Sequence, residues 1–131
     1  MFLQHLDENQ KRTFFALAIR MILTDGIIKP EEISYLNQLI EDSGIPGDVS
    51  LVQSVETPDL SIYKTRSSRM VVATELMIIA TVDKSVHDLE SAMFKALVTE
   101  FHLNDNDLKK IRLFAVDCAK VFSQGCELIA C

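Results

Sequence analysis

The stretch Met-Val-Val-Ala-Thr-Glu-Leu-Met-Ile-Ile-Ala-Thr-Val, residues 70–82, decides the fold. Its apolar side chains recur on nearly every side of a helix, so other elements must surround a helix formed here. A turn signal at 57–59, Thr-Pro-Asp, precedes it, and the predicted helix runs from about Ser61 to Val82. Thr74 and Glu75 interrupt the apolar run, which falls well short of the roughly 18 residues that a membrane span requires. We therefore expect the central helix of a bundle and no membrane span.

The composition extends this interpretation to the whole chain. Of 131 residues, 48% are hydrophobic, and only 4 are Gly and 3 are Pro. This length corresponds to about one domain, and the scarcity of Gly and Pro favours long helices over the turn-rich architecture of sandwiches and barrels. We predict an all-α fold, a compact bundle of about six helices in one domain over 1–131, with short tails at about 1–8 and 124–131. The predicted helices cover about 9–24, 30–43, 47–55, 61–82, 88–101 and 105–122.

Charge and cysteine content exclude several classes of protein. Lys and Arg number 13 against 19 Asp and Glu, a formal net charge of −6, so electrostatic attraction to nucleic acid or anionic lipid is weak. The apolar stretch at 14–23 contains Arg20 and no small-residue cleavage site follows it, which argues against a signal peptide. Cys118, Cys126 and Cys131 make an odd number of cysteines without a C-x-x-C motif. We expect a cytoplasmic protein that binds no nucleic acid.

An approximate internal repeat organises the chain. A shift of 58 residues aligns residues 23–32, LTDGIIKPEE, with residues 81–90, TVDKSVHDLE, so that an Asp and a Glu recur seven residues apart. The apolar frame follows the same shift, and the aligned pairs are Ile28 with Val86, Tyr35 with Met93, Leu36 with Phe94, Leu39 with Leu97, Ile40 with Val98 and Ile45 with Leu103. The repeat predicts two helix–loop–helix hairpins.

These hairpins resemble the tellurite-resistance TerB family, whose units have an apolar helix, an Asp-Gly-x-Ile-x-x-x-Glu junction and a second amphipathic helix. The first junction, Asp25 to Glu32, matches well; the second, Asp83 to Glu90, has Lys84 in place of the glycine. The resemblance covers most of residues 10–122. It implies an all-helical, non-catalytic module associated with stress and tellurite resistance, and with metal binding.

The acidic junctions are candidate ligands for a divalent cation. Asp-Gly-x-Ile-x-x-x-Glu is also the second half of an EF-hand loop, but the first two ligand positions are Met21 and Leu23 in the first copy and Ile79 and Thr81 in the second. Neither loop can therefore hold calcium alone. A hard cation fits only if the two loops converge, and its four candidate ligands are Asp25, Glu32, Asp83 and Glu90.

The same carboxylates also have a structural interpretation as helix caps. Asp25 can accept backbone N–H groups of the turn, and Glu32 can reach back in a capping-box contact. His87 lies between Asp83 and Glu90, where it is either an exposed residue near a helix start or a further ligand. The alternatives of cation site and helix caps both remain open at this point.

No motif indicates an enzyme. The chain lacks G-x-S-x-G, a phosphate-binding glycine loop and H-E-x-x-H, so we expect no catalytic activity. Cys118 falls on the apolar stripe of the last helix and is expected to be a small core residue. The alternative to a cation-binding module is a structural interaction domain that forms a homodimer or binds an unknown protein partner through an apolar surface, including 126–131 or Phe2-Leu3.

Overall fold

The fold is all-α throughout the part of the chain that the computed structural model describes, residues 2–24, 30–44, 58–81 and 92–129. Five α-helices are present there, and we number them in chain order: α1 (Glu8–Thr24), α2 (Pro30–Ser43), α3 (Arg66–Thr81), α4 (Ala92–Glu100) and α5 (Asp105–Leu128). Short 3-10 helices lie at Leu3–His5 and Leu60–Ile62. The predicted helix at 47–55 lies outside the described residues. The all-α prediction is confirmed, and the count of six helices stays a prediction.

Side-chain caps begin three of the helices. At α1, the Gln10 N–H donates to Asp7 Oδ1 over 2.8 Å and the Asp7 N–H donates to Gln10 Oε1 over 3.0 Å. At α3, Thr65 Oγ1 accepts the Ser68 N–H over 3.1 Å. Asn104 starts α5 with a reciprocal capping box. These caps accept backbone N–H groups that have no partner inside a helix, and the one at Thr65 explains why α3 begins later than the predicted Ser61.

α3 forms the centre of the bundle, as its sequence predicts. Its core-facing residues are fully shielded, and they include Val72, Ala73, Leu76, Ile79 and Ala80, all at 0% exposure. Leu3 and Leu6 also belong to this core cluster. The N-terminal residues that we expected to form a tail therefore pack against the bundle, because two of their leucines are buried.

α5 packs along α3 and then continues past it. Near its start, Arg66 and Asp107 form an ion pair of 2.7 Å, and farther along Thr81 Oγ1 donates to the Ala115 carbonyl over 3.4 Å. The helix has 24 residues and ends at Leu128, whereas the sequence predicts an end near Phe122. Gly125 does not stop the helix, because a glycine inside a helix costs only about 1 kcal/mol relative to alanine. Residues 124–128 of the predicted tail at 124–131 therefore form the end of α5.

Candidate interaction surface

The predicted cation ligands fall almost entirely outside the described residues. Asp25, Asp83 and Glu90 lie outside them, as do Lys84 and His87. Glu32 lies in the first turn of α2, but its side chain is not among those described. Within the described ranges, no group of three or more His, Cys, Asp or Glu residues is placed to hold a metal ion. The convergence of the four carboxylates stays a prediction.

A buried carboxylate lies at the middle of the bundle. Glu75 on α3 is 0% exposed. Its Oε1 accepts the backbone N–H of Phe2 over 2.8 Å, and its Oε2 accepts the hydroxyl of Tyr35 on α2 over 3.2 Å. A charged acceptor strengthens a hydrogen bond roughly twofold, especially away from water. Glu75 therefore fastens the N-terminal segment and α2 to the central helix.

The polar groups around Glu75 have shifted pKa values. Burial is the main cause that raises the pKa of Tyr35, and the charge of Glu75 and its hydrogen bond add to the rise. Burial also raises the pKa of the Cys118 thiol, with a further contribution from Glu75. Both groups therefore stay protonated at neutral pH. Tyr35 thus acts as a hydrogen-bond donor to Glu75, and Cys118 is not an activated thiolate.

The C-terminal part of α5 presents a continuous apolar surface that the described residues leave open. Phe114 is 40% exposed, Val121 67%, Phe122 39%, Leu128 86% and Ile129 78%. With the half-buried Cys118 and Gly125, these residues recur at helical spacing along one side of α5, and we call this set of seven the α5 stripe. Single exposed apolar residues are normal on a protein surface, whereas a contiguous apolar stripe is not, so we take the α5 stripe as the candidate site.

Two aromatic contacts join the α5 stripe to the Glu75 hydrogen bonds. The rings of Phe2 and Phe114 lie 5.7 Å apart between centroids, and the rings of Tyr35 and Phe122 lie 6.5 Å apart in an edge-to-face arrangement at 87°. Phe2 and Tyr35 both donate to Glu75. The buried carboxylate therefore positions an aromatic residue on each side of the stripe, and this fixes its shape from beneath.

Two shallow cavities adjoin the α5 stripe. One of about 390 Å³ lies among Phe2, Met70, Val71 and Phe114. The other, of about 380 Å³, is lined by Tyr35, Ile78, Cys118 and Val121 among others, and Phe114 lines it too. Because Phe114 belongs to both cavities, they extend the stripe into one uneven apolar surface that can receive side chains of a partner.

Only weak signals in the sequence point to this site. Glu75 stands out as a carboxylate in an otherwise apolar helix, and that pattern predicts a buried, hydrogen-bonded group. Its partners Phe2 and Tyr35 are 73 and 40 residues away, so only the fold reveals them. Cys118 was expected in the core but is half-buried, because the core-facing side of α5 runs through Ala115 and Ala119. Leu128 and Ile129 of the predicted segment 126–131 are exposed, and the exposed apolar side of α5 already begins at Phe114.

Comparison with protein-family models, curated proteins and solved structures gives no match for this chain. Its class is therefore described by the structure alone, as a helical bundle with an exposed apolar helix face. Among the described residues, no helix is sufficiently long and apolar to span a bilayer.

Proposed function

We propose that this protein is a non-catalytic interaction module that uses the α5 stripe to bind an apolar helix face of a partner protein in the cytoplasm. The observation that carries the proposal is the exposure of Val121, Leu128 and Ile129 on one side of a helix that continues beyond the core. Burying such residues against a partner removes apolar area from water, which is the main favourable term in most protein associations.

The α5 stripe contacts residues that Glu75 holds in place, and this favours an interaction surface over a helix end that is merely exposed. Glu75 holds Phe2 and Tyr35, and these contact Phe114 and Phe122. A partner that binds a surface positioned in advance loses less conformational entropy on association. The aromatic rings at its edge also belong to the residue types that dominate binding energy in interfaces.

Site-specific photocrosslinking in cells tests the proposal. A photoreactive phenylalanine analogue is placed at Val121, inside the stripe, or at Lys120, which is exposed on the other side of α5. We expect irradiation to give a discrete adduct from position 121 and none of that mass from position 120. Equal adduct patterns from both positions, or no adduct from position 121, would contradict an interface here.

A second candidate function is the TerB-like cation-binding module, and the matched burial of the two repeat units supports it. Leu36 and Phe94 are both 4% exposed, and Leu39 and Leu97 are both nearly fully buried. The next aligned pair, Ile40 and Val98, is partly buried in both copies. Equivalent positions of α2 and α4 thus face the core alike, as two related hairpins require. On this proposal Asp25, Glu32, Asp83 and Glu90 bind a divalent cation in a stress-related role.

Thermal unfolding of metal-stripped protein tests the cation site. The melt is recorded without added metal and with calcium, magnesium, manganese or zinc, beside a Glu32→Gln/Glu90→Gln double variant. An ion about a hundredfold above its Kd adds roughly 2.7 kcal/mol to the free energy of unfolding, a shift of several degrees. We expect the shift in the native chain and not in the double variant. An equal shift of the melting temperature in both proteins would show that Glu32 and Glu90 do not bind the ion.

A further inference from the structure

The α5 stripe has the spacing of a coiled-coil seam. Phe114, Cys118, Val121, Gly125 and Leu128 follow one another at intervals of four, three, four and three residues. This alternation is the 3.5-residue period with which two helices keep one side in contact along their length. The natural occupant of such a seam is therefore another long helix that lies alongside α5.

The seam alternates large and small residues. Phe114, Val121 and Leu128 project from it, while Cys118 and Gly125 leave room between them. In an antiparallel pair of identical helices, a residue of one copy faces a residue of the other when their two residue numbers add up to a constant. With Phe114 opposite Gly125 of a second copy, Cys118 lies opposite Val121 of that copy. Each described layer then places a large side chain against a small one, and the seam is complementary to itself.

Parallel pairing gives no such match. It would set Phe114 against Phe114, Val121 against Val121 and Gly125 against Gly125, alternating crowded layers with voids. Antiparallel helices also place the positive end of one helix dipole beside the negative end of the other. The composition of the seam thus favours one orientation.

The area of the stripe suits a dimer. The exposed fractions of its large residues together equal about three fully exposed apolar side chains. At about 150–200 Å² for each, this amounts to roughly 500–600 Å² per copy. Two copies contribute up to about 1,000–1,200 Å² in total, which reaches the size of about 1,000 Å² that a specific interface needs.

Resting on the proposed role of the α5 stripe as an interface, we propose that its partner is a second copy of this chain, with the two α5 helices paired antiparallel so that Phe114 packs on Gly125 and Cys118 on Val121. The interface has twofold symmetry, and the same surface is used on both copies. Leu128 of each copy then extends past Phe114 of the other, toward the apolar cavity that Phe2, Met70 and Val71 line.

Light scattering and disulfide mapping test the pairing. Light scattering on the native chain should give twice the monomer mass of 14.8 kDa. For mapping, Val121→Cys is combined with Cys126→Ser and Cys131→Ser, which leaves thiols at positions 118 and 121. Trypsin cuts after Lys120, so the two thiols lie on different peptides. After mild oxidation, non-reducing electrophoresis separates the covalent dimer from chains in which positions 118 and 121 have joined within one copy. In the covalent dimer we expect peptides that link position 118 of one copy to position 121 of the other, since facing seam positions come within disulfide reach.

Each other outcome counts against the pairing. Links from 118 to 118 and from 121 to 121 would show parallel helices and overturn the orientation. If the chain stays monomeric at every concentration, the partner that covers the seam is not a second copy. In that case a discrete photo-adduct at Val121 with a different protein would still uphold the interaction module, so failure of this inference and failure of the proposed function are distinguishable.

Discussion

Replacing Glu75 with methionine removes a fully buried carboxylate and keeps most of its side-chain volume. The Phe2 N–H at 2.8 Å and the Tyr35 hydroxyl at 3.2 Å lose their acceptor. Hydrogen bonds to charged groups contribute about 1.5–3 kcal/mol each, which gives an upper range of about 3–6 kcal/mol. Phe2 can move into water once released, so we expect the free energy of unfolding to fall by about 2–4 kcal/mol. For a domain of this size, the melting temperature should fall by about 6–15 °C.

Urea unfolding followed by far-UV circular dichroism measures this loss. An unchanged slope of the free energy of unfolding against urea concentration shows that the unfolded state is unaffected. Tyr35→Phe is the matched control, because it removes one donor and keeps the carboxylate; it should cost about 1–2 kcal/mol. Hydrogen exchange should speed up in residues 2–6 of the Glu75→Met variant but not in Tyr35→Phe. If Glu75→Met is as stable as the native chain, then the cost of burying the charge cancels its hydrogen bonds, and Glu75 does not fasten these elements.

Three further predictions concern the tyrosines and the ends of α4 and α5. Burial raises the pKa of Tyr35 and of Tyr63, so the folded state keeps these protons when the unfolded chain loses them; stability is complete below about pH 10 and is lost as the pH rises above it. Absorbance at 295 nm should show both tyrosines, the only two in the chain, ionising together with unfolding, and separate titration near pH 10 in a folded protein would refute this. Asn104→Ala should lower stability by about 1 kcal/mol in urea, because it removes the α5 cap; a loss below about 0.3 kcal/mol would argue against the capping box. His102 has a φ of 57°, so His102→Gly should raise the urea midpoint by the equivalent of about 0.5–1 kcal/mol, and a lowered midpoint would contradict the strain.

Local signals in the sequence predicted much of the fold. The apolar period over 70–82 identified the central helix, and its residues are buried as expected. The predicted start of the last helix at 105 is confirmed, and Asn104 and Asp107 cap it there. The predicted end of the second helix at 43 is confirmed too, and Gly44 follows it with a φ of 74°. These features depend on residues a few positions apart, which is why sequence alone could predict them.

The features that make up the candidate surface depend on distant residues. Phe2, Tyr35 and Glu75 meet only because three separate elements pack together, and no local pattern encodes that meeting. The predicted last helix is shorter than α5, because Gly125 is a weak helix former. The free energy that one glycine costs is small compared with what stabilises the rest of a 24-residue helix, so α5 continues through it. Cys118, predicted to lie in the core, is half-buried beside the exposed residues of the α5 stripe, since periodicity alone does not distinguish a core face from an interface.

Sedimentation equilibrium of three proteins tests the central claim, that the α5 stripe is an interface between copies. The native chain is compared with Val121→Glu, inside the stripe, and with Leu113→Glu, which places the same charge at another exposed apolar position of α5, at 58% exposure, outside the stripe. Over about 1 to 100 µM, the native chain and Leu113→Glu should rise to twice the monomer mass of 14.8 kDa. Val121→Glu should stay monomeric, because pairing would bury its charge without a partner. The same mass for all three proteins at every concentration would contradict the account.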